Sequence, residues 1–327
     1  MQPHCLVIGA ITAEMQTQLA AKMDLHFITD INSPEAWLAE HGHTISYIVT
    51  NGHDGVPSSY FDYLPEVKLI SNYGVGYDAI DVVDAHKRGI ITTHTPSVLS
   101  EEVATTALLL MLACYRELSF NEAHLRSGRW QKEGNAPLSR SADNRVVGIV
   151  GLGRIGEAIA RKLAPFNAEI LYHNRNQKDV PYEYVATLEE MAKRCDVLMI
   201  ATPGGAATDK LIDKSIIEAV GDKGMIINVG RGSVIDEAAL VEALQAGTLG
   251  AAGLDVFEKE PFVPEALIAN PRLVLTPHMA SATVETRAAM GQLVVDNITA
   301  FLETGAVYTP VPECATDVQI IDYPAMG

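Results

Sequence analysis

Positive charge, cysteine and long apolar runs are all scarce in this chain. Lysine and arginine number 24 against 41 aspartates and glutamates, a formal net charge of −17. A nucleic-acid surface needs a basic patch, so no such partner is expected. The acidity says little about a small ligand, because a local basic pocket can sit in an acidic shell; a solvated surface is its plainest meaning. Cys5, Cys114, Cys195 and Cys314 are far apart, with no CxxC pair and no metal-ligand spacing. No metal site is expected, and the first three lie in apolar stretches, as buried thiols of an intracellular protein do. The longest apolar run, residues 107–113, falls far short of a membrane span. No basic segment followed by an apolar stretch and cleavage site opens the chain, so the expectation is no signal peptide, no membrane and a cytoplasmic location. Internal repeats and low-complexity segments are not visible either.

What is present is material for cores. Of the 327 residues 48% are hydrophobic, which suits about two domains. Apolar strand-like runs recur at residues 5–11, 45–50, 67–71 and 90–93, separated by helix-like segments at 12–23, 34–41 and 78–88. Strands alternating with helices imply a parallel sheet wrapped by helices. Ser33-Pro34 reads as a helix start, with Ser at the N-cap and Pro at the first position. A single long helix is expected from Glu101 to about Ser127, ended by Gly128-Arg129-Trp130. Its segment 107–112 is apolar on nearly all sides, as a helix buried between two domains would be.

Residues 146–175 carry the first chemical signal. Val146-Val147-Gly148-Ile149-Val150 reads as a buried strand, and Gly151-Leu152-Gly153-Arg154-Ile155-Gly156 as a glycine-rich turn. A helix (157–163) and a second strand (169–175) follow. In such a unit the first glycine allows the tight turn and the second lets the backbone approach a pyrophosphate. The third lets the helix pack close, and the helix N-terminus offers unpaired N–H groups to the phosphates. A close-packed turn that binds nothing has the same letters, but the strand before and the helix after make this a dinucleotide site. Strands at 196–202, 225–229, 251–256 and 273–276 alternate with helices at 215–220 and 236–246. The count reaches about six, that of a doubly wound dinucleotide fold, whose ligands sit at the carboxyl ends of the strands. Polar residues do follow strands here: Thr202-Pro203, Gly230-Arg231 after Val229, then Asp255, Glu260-Pro261 and Pro277-His278.

Arg231, Glu260 and His278 are the candidate catalytic set. Hydride transfer to a 2-keto acid needs a cation for the carboxylate, a proton donor for the carbonyl oxygen and a group to orient that donor. Arg holds a carboxylate with two parallel hydrogen bonds, His is the usual proton donor near neutral pH, and a carboxylate fixes its tautomer. By spacing alone each also reads as an ordinary loop residue. Two further pieces follow strands in the first third. Asn72-Tyr73-Gly74-Val75-Gly76-Tyr77-Asp78 forms either a small anion nest or an ordinary glycine turn. Asn51-Gly52-His53-Asp54-Gly55 suits a substrate-facing loop. His4, His41, His43 and His53 show no partner in the sequence and read as incidental.

Five blocks together resemble the D-isomer-specific 2-hydroxyacid dehydrogenases: NYGVGYDAID (72–81), GIVGLGRIG (148–156), INVGRGSVID (227–236), GLDVFEKEP (253–261) and LTPHMAS (275–281). They are ordered and spaced as in that family and span about residues 49–302. The resemblance implies an α/β chain of two doubly wound parallel-sheet domains. A Rossmann cofactor domain (98–284) is inserted into a flavodoxin-like substrate domain (1–97 and 285–327), with hinges near 96–98 and 281–285. A returning C-terminal helix (284–304) and a homodimer are also implied. Arg231 then binds the substrate's carboxylate and carbonyl, His278 is the acid/base and Glu260 its partner, and the Val75 and Gly76 amides receive the carboxylate. Asn51, Gly52 and Gly74 complete the expected substrate side. Gly151, Leu152, Gly153, Arg154, Ile155, Gly156, Asn174, Arg175, Asn176, Thr202, Pro203, Val229, Gly230, Arg231, Asp255, His278 and Ala280 form the expected cofactor side. Met279 and a partner subunit's Trp130 are further candidates for the pocket wall.

Gly204-Gly205, Val263-Pro264-Glu265 and the end of the second cofactor-domain strand look most like the glyoxylate/hydroxypyruvate and hydroxyphenylpyruvate reductase branch. That strand end departs from the commoner pattern, in which an acid binds the ribose 2′-hydroxyl. Asn174 stands there, beside Arg175 and Asn176. A neutral amide next to a guanidinium can bind a 2′-phosphate that a carboxylate would repel. NADPH is therefore expected over NADH, unless Arg175 only stacks on the adenine. Small 2-keto acids such as glyoxylate and hydroxypyruvate are the expected substrates, with phenylpyruvate-type acids second. A dinucleotide-sensing corepressor of the same family is the other reading, and a formate dehydrogenase is disfavoured because formate oxidation moves no substrate proton.

Overall fold

The computed structural model describes residues 2–323, and their contacts divide into two units. The first holds the residues up to Leu99 and those from Ala282 onward; the second is Ser100–Ser281. The second is thus inserted into the first, with crossings at 99/100 and 281/282 beside the expected 97/98 and 284/285.

The first unit opens with β1 (His4–Val7), α1 (Ala13–Ala20), β2 (Asp24–Phe27), α2 (Pro34–His41) and β3 (Ile45–Asn51), followed by β4 (Leu69–Tyr73), α3 (Val82–Lys87) and β5 (Ile91–Thr93). All strand pairs are parallel, in the order β2-β1-β3-β4-β5, the flavodoxin-like arrangement. Leu6, Val7, Ile48, Val49, Leu69 and Ile70 are buried along the central strands, as a parallel sheet covered on both faces requires. β2 is additional to the four expected strands. Its residues Asp24-Leu25-His26-Phe27 are polar at alternate positions and only partly buried at an edge, so no apolar run marks it. Ser33 stands before α2 but makes no side-chain cap; Pro34 starts the helix without it.

The second unit runs α4 (Ser100–Tyr115), α5 (Leu118–Arg126), α6 (Arg129–Glu133), β6 (Val146–Val150), α7 (Arg154–Leu163), β7 (Glu169–His173) and β8 (Glu183–Tyr184). It continues with α8 (Leu188–Arg194), β9 (Val197–Ile200), α9 (Lys214–Val220), β10 (Met225–Asn228), α10 (Glu237–Ala246), β11 (Ala251–Leu254), α11 (Glu265–Ile268) and β12 (Leu273–Leu275). Its strands are parallel in the order β12-β11-β10-β9-β6-β7-β8. That is the dinucleotide-binding order with a seventh strand, one more than expected. The single long helix is corrected too. Glu117 adopts a left-handed backbone (φ 47°, ψ 45°) that helical residues avoid, and α4 and α5 diverge there by 62°. Gly128, with φ 73°, follows the C-cap Ser127 of α5 and is the N-cap of α6, so the helical stretch ends where expected but as α5 and not as one long helix. Within this unit α4 packs against α7 and strands β10, β11 and β12. Leu109 on its far side is 48% exposed, so the helix is not apolar-covered all round.

After β12, α12 (Val284–Thr304) returns to the first unit and packs on α1 and β4. Among the described residues no single helix is long and apolar enough to cross a membrane.

Candidate active site

The strand order of the second sheet reverses between β6 and β9, the place where such sheets bind dinucleotides. The glycine turn leaves β6 there. Gly151 has φ +92°, and a Cβ on it would stand 3.0 Å from the Thr202 amide after β9. A Cβ on Gly156 would stand 2.4 Å from the Gly151 carbonyl, whereas one on Gly153 would meet nothing within 4 Å. One glycine permits the turn, one the helix contact, and the third leaves an open face. Gly153 is also the N-cap of α7 without a side-chain cap, leaving the first-turn amides available to phosphate. These residues fit a dinucleotide.

At the end of β7, Asn174 Oδ1 accepts from Leu152 N at 2.7 Å, tying the strand end to the glycine turn. Arg175 and Asn176 are exposed, and Arg175 has no hydrogen bond or ion pair among the described residues. Lys178 was not expected in this cluster. Its Nζ donates to Leu152 O at 3.1 Å and pairs with Glu157.

The catalytic candidates come together at the same carboxyl edge. His278 Nδ1 lies 2.6 Å from Glu260 Oε2, and Glu260 Oε1 accepts from Phe257 N at 3.0 Å. The Glu260 side chain is 18% exposed against 43% for His278, so the acid is set back and the ring forward. Nε2 of His278 has no partner among the described residues. Arg231 follows β10, where buried Asn228 shapes its loop by donating to Arg231 O (2.9 Å) and accepting from Gly230 N (3.0 Å). A Cβ on Gly232 would stand 1.9 Å from Phe257 C, so only glycine lets the Arg231 loop approach the loop that carries Glu260.

Asp255, counted on the cofactor side, has another occupation. Fully buried, its carboxylate accepts from Thr276 Oγ1 (2.7 Å), Met279 N (2.8 Å) and Ala280 N (2.9 Å). Its carbonyl accepts from His278 N at 2.8 Å. It clamps the loop on which His278 sits, with φ 49°. The one signal in the sequence for Asn228 and Asp255 is a polar residue ending an apolar strand. A cavity of about 380 Å³ lined by Tyr115, Arg140, Lys223 and Arg272 lies at the opposite edge, where β10, β11 and β12 begin.

In the first unit, the 51–55 and 72–78 loops leave the carboxyl ends of adjacent strands β3 and β4. Asn51 is occupied within its own loop: Oδ1 accepts from His53 N and Asp54 N (2.9 and 2.8 Å), and Nδ2 donates to Asp54 Oδ2 (2.6 Å). A Cβ on Gly74 would stand 3.4 Å from Gly52 N, so the two loops adjoin. Trp130 is 55% exposed and Met279 37%.

A doubly wound dinucleotide domain with Arg, Glu and His at its carboxyl edge defines a nicotinamide-dependent dehydrogenase. The family model for the NAD binding domain of D-isomer specific 2-hydroxyacid dehydrogenases matches residues 108–280. Glyoxylate/hydroxypyruvate reductase A of Arabidopsis thaliana is 38% identical over 94% of this chain and 98% of its own. A 2-ketogluconate reductase of Gluconobacter oxydans is 39% identical over 95% and 99%. Among solved structures, an NADPH-dependent glyoxylate/hydroxypyruvate reductase of Sinorhizobium meliloti, in complex with NADP and malonate, superposes with a TM-score of 0.91. It is 45% identical, covering 99% of this chain and 100% of that one. The chain belongs to the D-isomer-specific 2-hydroxyacid dehydrogenases, oxidoreductases that use a nicotinamide cofactor.

Proposed function

We propose that this protein reduces small 2-keto acids, glyoxylate and hydroxypyruvate first, to 2-hydroxy acids of D configuration or glycolate, with NADPH preferred over NADH. The observation that carries the reading is the 2.6 Å contact of His278 Nδ1 with Glu260 beside the Arg231 loop. Glu260 fixes the tautomer that keeps a proton on Nδ1, so Nε2 is the atom that delivers a proton to the substrate's carbonyl oxygen. Arg231 supplies the cation for the substrate's carboxylate and carbonyl. When bound, the reduced nicotinamide supplies the hydride. The NADPH preference is supported by Asn174 in place of an acid, by exposed Arg175, and by Lys178 close to the same turn.

A homodimer is supported by Leu109, Leu118, Leu125, Trp130 and Leu138, apolar side chains 48–99% exposed along one stretch of the second unit. Four free cysteines, all buried, support a cytoplasmic location.

The test is NADPH oxidation against glyoxylate, hydroxypyruvate, 2-ketogluconate and 4-hydroxyphenylpyruvate. Turnover is expected with the small acids. His278→Gln should lower kcat by roughly 10²–10⁴-fold, while NADPH binding, followed by fluorescence, stays near the wild-type value. Absence of turnover with every acid, or full turnover by the variant, would sink the reading.

A further inference from the structure

The glycine turn at residues 74–77 has three successive carbonyls held from behind. Asn72 Nδ2 donates to Gly74 O and to Gly76 O, each at 3.0 Å, and Thr95 N adds a 2.9 Å bond to Gly74 O. His94 Nδ1 lies 3.0 Å from Val75 O. A carbonyl only accepts, so this nitrogen carries the proton. Both holding residues are themselves fixed. Asn72 is fully buried, and the His94 ring stands edge-on to Tyr77 with centroids 5.4 Å apart. The His94 backbone is bonded on both sides to Thr309, by N to Thr309 O (3.1 Å) and by O from Thr309 Oγ1 (2.6 Å). Thr309 is bonded in turn to Asn297 on α12.

The peptide units of this turn are trans, and in a trans unit the C=O and N–H point in opposite directions. Holding the Gly74 carbonyl therefore aims the Val75 amide. Holding Val75 O aims the Gly76 amide, and holding Gly76 O aims that of Tyr77. Among the described residues no group accepts a hydrogen bond from these three amides. Successive amides pointing away from their supports make an anion-binding concavity. Two side chains keep its planes from rotating.

We infer that Asn72 and His94 are positioning residues for the substrate's carboxylate, acting through the backbone by fixing the Val75, Gly76 and Tyr77 amides that receive it. The inference rests on the 2-keto acid reading above. The roles divide. Asn72 and Thr95 hold the outer two planes, and His94 holds the middle one, so removing His94 loosens one amide while the turn keeps its other supports.

His94→Leu removes the donor, and His94→Asn returns an amide nitrogen to the place of Nδ1. In His94→Leu the KM for glyoxylate and the inhibition constant of oxalate should rise about tenfold, with a smaller change in kcat. NADPH affinity and melting temperature should stay near wild type. His94→Asn should recover most of the loss. Ethyl glyoxylate, which lacks the carboxylate, should be reduced with similar kcat/KM by wild type and His94→Leu. Unchanged KM and oxalate inhibition, or equal losses for acid and ester, would overturn the inference. Oxalate binding measured by calorimetry on the same proteins decides it even if wild type reduces no keto acid, an outcome that would remove the functional reading alone.

Discussion

Asp255 shows how a buried side chain can govern the placement of one that reacts. Three donors from residues 276–280 converge on its buried carboxylate, and the loop they fix carries His278. Asp255→Asn replaces one acceptor oxygen with an NH₂ that faces a donor, leaving a buried clash of like groups. We expect kcat to fall roughly 10- to 100-fold with a lower melting temperature, as positioning errors at a reacting group do. Wild-type kcat in that variant would show that the clamp does not hold His278. Arg175 is the residue on which the proposed NADPH preference chiefly rests. If it receives the 2′-phosphate, Arg175→Ala should raise the KM for NADPH by roughly 10- to 100-fold, the weight of one charge-assisted hydrogen bond, and leave that for NADH nearly unchanged. Equal effects on both cofactors would make it an adenine-stacking residue. Arg231, Glu260 and His278 were legible because each sits in a block of recognisable spacing. The part played by Asp255 was not, because two of its three partners are backbone amides, which no sequence pattern displays. The Asn51 amide likewise could not be seen to be taken up by its own loop.

At the scale of elements, what the sequence hid is what lacks an apolar run. β2 is half polar and β8 is two residues long, while the helix breaks at Glu117, a residue of ordinary helix propensity, so nothing in its letters marks the bend. The buried central strands of both sheets were readable because a parallel sheet demands continuous apolar stretches. β2 also gives histidines that seemed incidental a setting. His26 Nε2 lies 2.9 Å from His4 Nδ1 on β1, and its ring lies 5.2 Å from that of Trp37 on α2, which in turn contacts His41 at 4.9 Å. Burial, then the nearby His4, with a smaller contribution from His41, holds His26 below its ordinary value of 6.5, against the opposing pull of Asp24. The unfolded chain therefore takes up a proton at a higher pH than the folded one. The stability from neutral His26 is complete above the ordinary value and is lost as pH falls through the lowered one. His26→Asn should flatten the decline of melting temperature as pH falls below the ordinary value, with Trp37 fluorescence following the same course. Identical pH profiles for variant and wild type would remove His26 from the account.

At the scale of the whole molecule, the insertion of one unit into another can be followed through the thiols. Cys5 and Cys314 belong to the first unit, Cys114 and Cys195 to the second, and all four are buried and free. Burial pushes Cys5, Cys114 and Cys195 up to about 12 and raises Cys314 as well. The reactive species is the thiolate, so at pH 8 none should react with a thiol reagent within minutes unless its unit opens, and all four should react in strong denaturant. The glycine turn and the Arg, Glu and His set both lie in the second unit, so the cofactor's binding energy falls chiefly on that unit. At a hundred times its Kd, NADPH adds about 2.7 kcal/mol to whatever binds it when folded. Labelling in intermediate urea, read by mass spectrometry at each cysteine, should therefore shift to higher urea for Cys114 and Cys195 when NADPH is added. A native-state reaction at any of the four would contradict the burial. An unmoved transition for Cys114 and Cys195 would mean that the glycine turn does not hold the dinucleotide.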